Sequence, residues 1–226
     1  LISDEYLRQR ASEINPESIS DTDGVAPGLE SNDTSHISLV DRDGNAVANT
    51  YTLNLSFGSG AVVVGAGFLL NNEMDDFSAK PGVPNYYGVV GTEANEIQPG
   101  KRMLSSMSPT LLLRDGEVQV VVGTPGGSTI PTSVFQAIVN ILDFGMTPQE
   151  ATAATRFHHQ LLPRDLVTYS PGYPLPDAVI GELADRGYRV EPHGFIFGDI
   201  LVIVRDGDRW IGGADPRGRG EFRTFP

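Results

Sequence analysis

The chain has 226 residues, 39% of them hydrophobic, with 16 Lys and Arg against 29 Asp and Glu for a formal net charge of -13, and it contains no Cys. That length and apolar content suffice for one domain with a substantial core, while the excess of negative charge argues against a nucleic-acid partner or an anionic membrane surface. The missing Cys excludes a disulfide framework, a thiolate zinc site and a Cys nucleophile.

The opening "LISDEYLRQR" lacks a basic segment followed by an apolar core, and no apolar run approaches the length of a membrane span. With no initiator Met, we expect a fragment with room for an export signal upstream. A short amphipathic helix is expected over 4–14. The stretch "NPESISDTDGVAPGLESND" that follows is polar, acidic and rich in Pro, Gly and Ser, as exposed linkers are.

From Thr34 the texture changes. Two period-2 runs in "HISLVDRDGNAVANTYTLNL", joined by Asp41 to Gly44, predict a hairpin. A second is expected in "SPTLLLRDGEVQVVVGT" with Asp115 and Gly116 in the turn, and a third in "DILVIVRDGDRWIGGAD" turning at Asp206 and Gly207. Helical periodicity in "IPTSVFQAIVNILDFG" sets Val134, Ile138, Val139 and Leu142 on one stripe, with Gly145 placed to end the helix. A second helix starts at Thr147 as N-cap, with Pro148 first and Glu150 three residues after the cap. A third helix, "PDAVIGELADRG", precedes a short strand at Tyr188 to Val190. Strands mixed with segregated helices indicate an α+β layer sandwich. The segment of about fifty residues from Phe57 to Met107, rich in Gly, Asn and Pro, is too long for an idle connection.

Several residues suggest chemistry. Thr favours strands, so Thr34 reads first as a strand residue. If the chain is cut before it, Thr34 instead gains a free α-amine of pKa about 7.7 to 8.0, suited to act as general base for its own hydroxyl. "GTPGGST" offers Gly126 and Gly127, whose N–H groups can point together at an oxyanion, although the segment alone reads first as an ordinary Gly-rich turn between a strand and a helix. "NNEMDDFS" gathers Glu73, Asp75 and Asp76, and "RMLSSMSPT" sets Ser105 beside Ser106. Carboxylates suit an ammonium and adjacent hydroxyls suit a carboxylate, so together they can hold an α-amino acid. His158 and His159 in "RFHHQ", expected on a helix, point in different directions and read as structural rather than metal-binding.

The motifs "TSHISLVDRDGNAV", "YTLN", "LLNNEMDDFS", "KPGVPN", "LSSMSPT", "GTPGGS", "RFHHQ" and "ADPR", in this order and at this spacing, resemble the small subunit of the gamma-glutamyltransferase family. The resemblance runs from Thr34 to the C-terminus, and residues 1–33 look like the tail of that family's large subunit. It implies an N-terminal nucleophile hydrolase fold, an αββα sandwich of which this chain holds part, made as a precursor that cleaves itself between Asp33 and Thr34.

By the same resemblance Thr34 is the nucleophile and Thr52 the hydroxyl that orients it. Asn54, Glu73 and Asp76 hold the amino-acid end of the glutamyl group, Ser105 and Ser106 bind its carboxylate, and Gly126 with Gly127 form the oxyanion hole. Tyr87 resembles the gate residue of members with a lid. The implied reaction is transfer of a γ-glutamyl group from glutathione or a similar amide to water, an amino acid or a peptide, with no cofactor. The implied partner is the large subunit, which also supplies an Arg that this chain lacks, and the implied location is periplasmic or extracellular. Two alternatives stand beside this one: a cephalosporin or glutaryl acylase of the same fold, which would lose the ammonium partner, and an uncleaved, non-catalytic relative. The continuous chain through Asp33 and Thr34 leaves the Thr34 nitrogen in an amide, where it is no base.

Overall fold

The computed structural model describes residues 34–225 together with Arg8. The chain divides into two compact units, Leu1–Ser31 and Asn32–Pro226. Of the first only Arg8, with helical backbone, is among the described residues, so the helix expected over 4–14, the linker after it and Asp33 lie outside them.

The first hairpin pairs β1 (Ser35–Val40) with β2 (Ala46–Tyr51). Its turn is held by Asp41, whose Oδ1 accepts from the N–H groups of Asp43 and Asn45, both at 2.9 Å. A smaller hairpin, β3 (Val62–Val63) with β4 (Phe68–Leu69), opens the long segment. The next joins β5 (Thr110–Arg114) to β6 (Glu117–Gly123). Asp115 and Gly116 both have positive φ, +54° and +85°, as a two-residue turn matched to strand twist requires.

Helix α1 (Ile130–Leu142) follows, then α2 (Pro148–Ala153). At α2 Thr147 and Glu150 form the expected reciprocal capping box. A three-stranded sheet comes next, β7 (Phe157–His158), β8 (Leu166–Tyr169) and β9 (Arg189–Pro192), with α3 (Asp177–Asp185) crossing between β8 and β9. That crossover makes β8 and β9 parallel, which hairpin patterns cannot reveal. The last hairpin is β10 (Leu201–Asp206) with β11 (Arg209–Ala214). Asp206 pairs with Arg209, so the turn is Gly207 and Asp208, one residue later than expected. The strand expected at Tyr188 also begins one residue later.

The main sheet has the order β11-β10-β6-β5. Val120, Val121 and Val122 of β6 are all buried, so the middle of the sheet is covered on both faces. On one face Val120, Val122, Ile200 and Val202 pack against Ile130, Val134 and Ala137 of α1. The buried stripe of α1 therefore runs through Ile130, Val134 and Ala137, with Ile138 and Ile141 at its margin. Leu142, expected on it, is 53% exposed. On the other face lies the β1–β2 hairpin, tied down by Ser38 Oγ, which approaches the carbonyls of Val121 (3.4 Å) and Leu201 (3.3 Å). Helices, main sheet and hairpin thus form successive layers of a partial N-terminal nucleophile hydrolase sandwich. β1 is inverted relative to ordinary patterning. His36 faces inward while Ile37 (48%) and Leu39 (50%) stay exposed.

Candidate active site

The β1–β2 register sets the nucleophile candidate. Ser35 pairs with Tyr51, and one step further places Thr34 opposite Thr52. Thr34 is buried, and its Oγ1 donates to Thr52 Oγ1 at 3.1 Å. Thr52 Oγ1 also accepts from the Asn54 N–H at 2.9 Å. Asn54 needs that support because its backbone is left-handed, φ +74°, a conformation Asn tolerates better than other side chains that carry a Cβ. It is clamped further by Asn72. Asn54 Nδ2 donates to Asn72 O (3.2 Å), and Leu55 N–H donates to Asn72 Oδ1 (3.0 Å).

Beyond Asn72 the chain makes a tight 3-10 turn, Glu73–Asp76, which brings two carboxyl groups together. Burial pushes Glu73 up to about 7, with the charge of Asp76 and a hydrogen bond between the two adding to it. Asp76 is raised too, first by burial, while the bond from Glu73 works against the rise. Glu73 Oε1 is buried with no hydrogen-bond partner. The turn thus sets two carboxyl groups side by side, one of them with a buried oxygen left without a hydrogen-bond partner.

The glycine pair lies where β6 runs into α1. Gly126 has φ +139° and Gly127 +55°, and Gly126 O accepts from the Thr129 N–H and hydroxyl at 3.1 and 2.8 Å. A Cβ on Gly126 would sit 2.7 Å from Thr129 Oγ1, and one on Gly127 would sit 2.5 Å from Tyr87 Cε1. Only glycine fits at either position. Tyr87 closes the circuit, with its ring against Gly127 and its hydroxyl donating to Asn54 O at 3.0 Å. Gly123 packs on the His36 ring so closely that a Cβ there would overlap it, bringing the end of β6 against the start of β1. Burial lowers His36 to about 4, so the ring packs as a neutral group.

Thr34, Thr52, Asn54, Tyr87 and Gly127 are thus connected by direct contacts, and Glu73 and Asp76 follow from Asn72. Ser105 and Ser106 join less directly. Asn95 Nδ2 donates to Asp76 O at 2.7 Å, and its Oδ1 accepts from the Leu104 N–H at 3.0 Å, tethering the serine pair to the acidic turn. Among the described residues no hydrogen bond joins Ser105 or Ser106 to Thr34. Ser105 is exposed, and its Oγ accepts from the Met107 N–H at 3.2 Å.

Asn72 and Asn95 were missed in the sequence because an Asn in a Gly- and Pro-rich segment reads as turn chemistry. Also missed was the contact that joins "RFHHQ" to "ADPR". Arg156 is fully buried and paired with Asp215, which Arg217 meets from the other side at 3.0 Å. His158 belongs to a strand, β7, rather than to a helix.

Residues 1–225 match the family model described as gamma-glutamyltranspeptidase. The glutathione hydrolase proenzyme of Pseudomonas aeruginosa is 60% identical over 215 residues, a match covering 95% of this chain and 39% of that protein, so the chain spans about two fifths of its length. Among solved structures, the gamma-glutamyltranspeptidase of Pseudomonas nitroreducens complexed with L-DON superposes with a TM-score of 0.82 at 56% identity, covering 85% of this chain and all of that one. The cephalosporin acylase of Bacillus halodurans superposes with a TM-score of 0.72 at 27% identity, over 99% of this chain and 39% of that one. The order of motifs, the fold and these likenesses agree: the chain belongs to the gamma-glutamyltranspeptidase family.

Proposed function

We propose that this chain is the catalytic portion of a γ-glutamyl transferase and hydrolase, with residues 1–33 the tail of a large subunit and residues 34–226 the small subunit. The observation that carries the reading is the buried Thr34 hydroxyl held by Thr52 within a few contacts of Gly127. The names of the relatives, glutathione hydrolase and gamma-glutamyltranspeptidase, support it.

In this reading the Thr34 hydroxyl first attacks the Asp33 carbonyl, moving the acyl group from nitrogen to oxygen, and water then hydrolyses the ester. The α-amine so released, of pKa about 7.7 to 8.0, takes the hydroxyl proton as Thr34 attacks the γ-amide carbonyl of glutathione or a similar compound. The N–H groups of Gly126 and Gly127 receive the developing oxyanion. The leaving amine departs with the proton, and water, an amino acid or a peptide takes the glutamyl group from the ester. Asp76, Glu73 and Asn54 hold the α-amino end, Ser105 and Ser106 the α-carboxylate, and Tyr87 closes over the site.

The large subunit is the proposed partner. The apolar outer face of β1 and β2, where Ile37, Leu39 and Val47 are each about half exposed, supports a further layer there. A periplasmic or extracellular location is part of the same proposal. Among the described residues no helix is long and apolar enough to cross a membrane. The carboxyl pair disfavours a glutaryl substrate, whose acyl group carries no α-ammonium to meet it.

The test is intact-mass analysis of the full-length protein beside Thr34→Ala, followed by assay on γ-glutamyl and glutaryl anilides. Cleavage before Thr34 in the wild type alone, with turnover of the γ-glutamyl compound only, is expected. An uncut, inactive wild type would overturn the proposal in favour of a non-catalytic relative, and turnover of the glutaryl compound alone would favour an acylase.

A further inference from the structure

The loop that carries Tyr87 is closed on itself. Asn85 Oδ1 accepts from the N–H groups of Tyr87 (3.1 Å) and Val89 (2.9 Å), Gly88 N–H donates to Asn85 O (3.0 Å), and Pro84 bridges Val90. On one side it is tied to Asn54 and to the acidic turn, through the Tyr87 hydroxyl on Asn54 O and through the Tyr86 N–H on Asp75 Oδ2 at 3.1 Å. On the other side a hydrogen bond comes from a distant part of the chain. Gln160 Nε2 donates to Gly88 O at 3.2 Å.

Gln160 is itself held. Its Oε1 meets His158 Nε2 at 2.9 Å, and His158 Nδ1 meets Thr132 Oγ1, also at 2.9 Å, in the first turn of α1. Counting protons assigns each role. Gly88 O only accepts, so Gln160 turns its amide NH2 to the loop and its oxygen to His158. That oxygen only accepts, so His158 carries its proton on Nε2. In the neutral ring Nδ1 then accepts, and the Thr132 hydroxyl, the donor within its reach at 2.9 Å, turns its one proton to that nitrogen in preference to the Thr129 carbonyl at 3.0 Å. Burial, the largest influence on His158, holds it below its ordinary value and favours the neutral ring. The ring has little freedom to turn, because His193 and Phe197 pack edge-on against it at 5.8 and 6.4 Å between centroids.

The same helix start that holds Thr132 follows Gly126 and Gly127 directly. The relay therefore joins the oxyanion segment to the residue next to Tyr87 by a path that avoids Thr34 altogether. We propose that Gln160, oriented by His158 and Thr132, is a positioning residue that latches the Tyr87 loop at Gly88 and so sets the Tyr87 ring over Gly127. Its consequence for turnover rests on the acyl-transfer reading above, whereas its consequence for the loop does not.

Gln160→Glu separates the two bonds of this side chain. The carboxylate keeps the length and the acceptor for His158 but presents no donor to Gly88 O. In the full-length protein, amide hydrogen exchange over 85–91 should quicken at least about fivefold, the ratio expected for one lost hydrogen bond, while exchange in β6 and α1 stays as in the wild type. KM for a γ-glutamyl anilide should rise by about the same factor, with kcat changed less than about twofold, since a loop that closes over substrate acts mainly on binding. Gln160→Ala should repeat both effects.

Loop exchange unchanged in Gln160→Glu would overturn the latch, and so would an equal rise in β6 and α1, which would mark a general loss of structure. Faster loop exchange with unchanged KM would overturn the claim that the latch serves Tyr87. Faster loop exchange in a protein whose wild type turns over no γ-glutamyl compound would leave the latch standing and sink the functional reading instead.

Discussion

Replacing Thr52 by Val keeps the branched shape of the side chain and removes only the oxygen, which performs two tasks. It accepts from Thr34 Oγ1 at 3.1 Å and from the Asn54 N–H at 2.9 Å. The second loss affects stability. Asn54 is 7% exposed and strained into positive φ, so its orphaned N–H finds no water, at a cost of about 1–3 kcal/mol. At roughly 2–4 °C per kcal/mol for a domain of this size, Tm should fall by about 2–12 °C. The first loss affects rate. With Thr34 as the proposed nucleophile, a hydroxyl free to leave its rotamer by on the order of 1 Å costs about a hundredfold.

The assay is kcat and KM of the full-length protein on a γ-glutamyl anilide, with thermal melting alongside, for Thr52→Val and Thr52→Ser. Val should lower kcat about a hundredfold and lower Tm, while Ser, which restores the oxygen, should recover most of both. A Val variant within threefold of the wild-type kcat, or a Ser variant as impaired as Val, would refute the argument that this oxygen holds Thr34.

Arg156→Met removes a buried guanidinium that pairs with Asp215 and donates to Gly198 O (2.6 Å) and Thr152 O (2.8 Å). The orphaned carbonyls, and a carboxylate left with Arg217 alone, should cost about 2–3 kcal/mol in urea unfolding, and a loss below about 1 kcal/mol would contradict the pairing. The Glu73 carboxyl is raised from 4.5 to about 7 chiefly by burial. The folded protein therefore holds a proton that the unfolded chain has released, and the stability this contributes is full below 4.5 and lost as pH rises through about 7. Glu73→Gln should flatten that part of the pH profile of unfolding, and an unchanged slope between those values would exclude Glu73 as its source.

Local patterns were legible wherever one segment satisfies its own requirements. Asp115 and Gly116 demand a two-residue turn, and Thr147, Pro148 and Glu150 form the cap they imply whatever lies around them. The β1–β2 hairpin was equally legible, and its register carries Thr34 to Thr52. Which face of β1 turns inward was not. Alternation defines two faces but not their destinations, and here the polar one is buried, because His36 and Ser38 satisfy each other at 3.0 Å and His36 meets Thr50 at 2.7 Å. The stripe of α1 missed by a residue or two for a similar reason. Periodicity fixes a helical face only within the arc that its neighbours leave open.

By itself the sequence determined the hairpins, the caps, the family resemblance and the residue types able to perform acyl transfer, since each depends on short-range stereochemistry or on side-chain chemistry. Only the tertiary structure decided that Asn72 and Asn95 tie the acidic turn to Asn54 and to the serine segment, and that Gln160 reaches the Tyr87 loop from 72 residues away. It also decided that Arg156 meets Asp215 across 59 residues. These contacts are fixed by how separate elements stack, and hydrogen bonds between residues so distant in the chain leave no periodic trace along it.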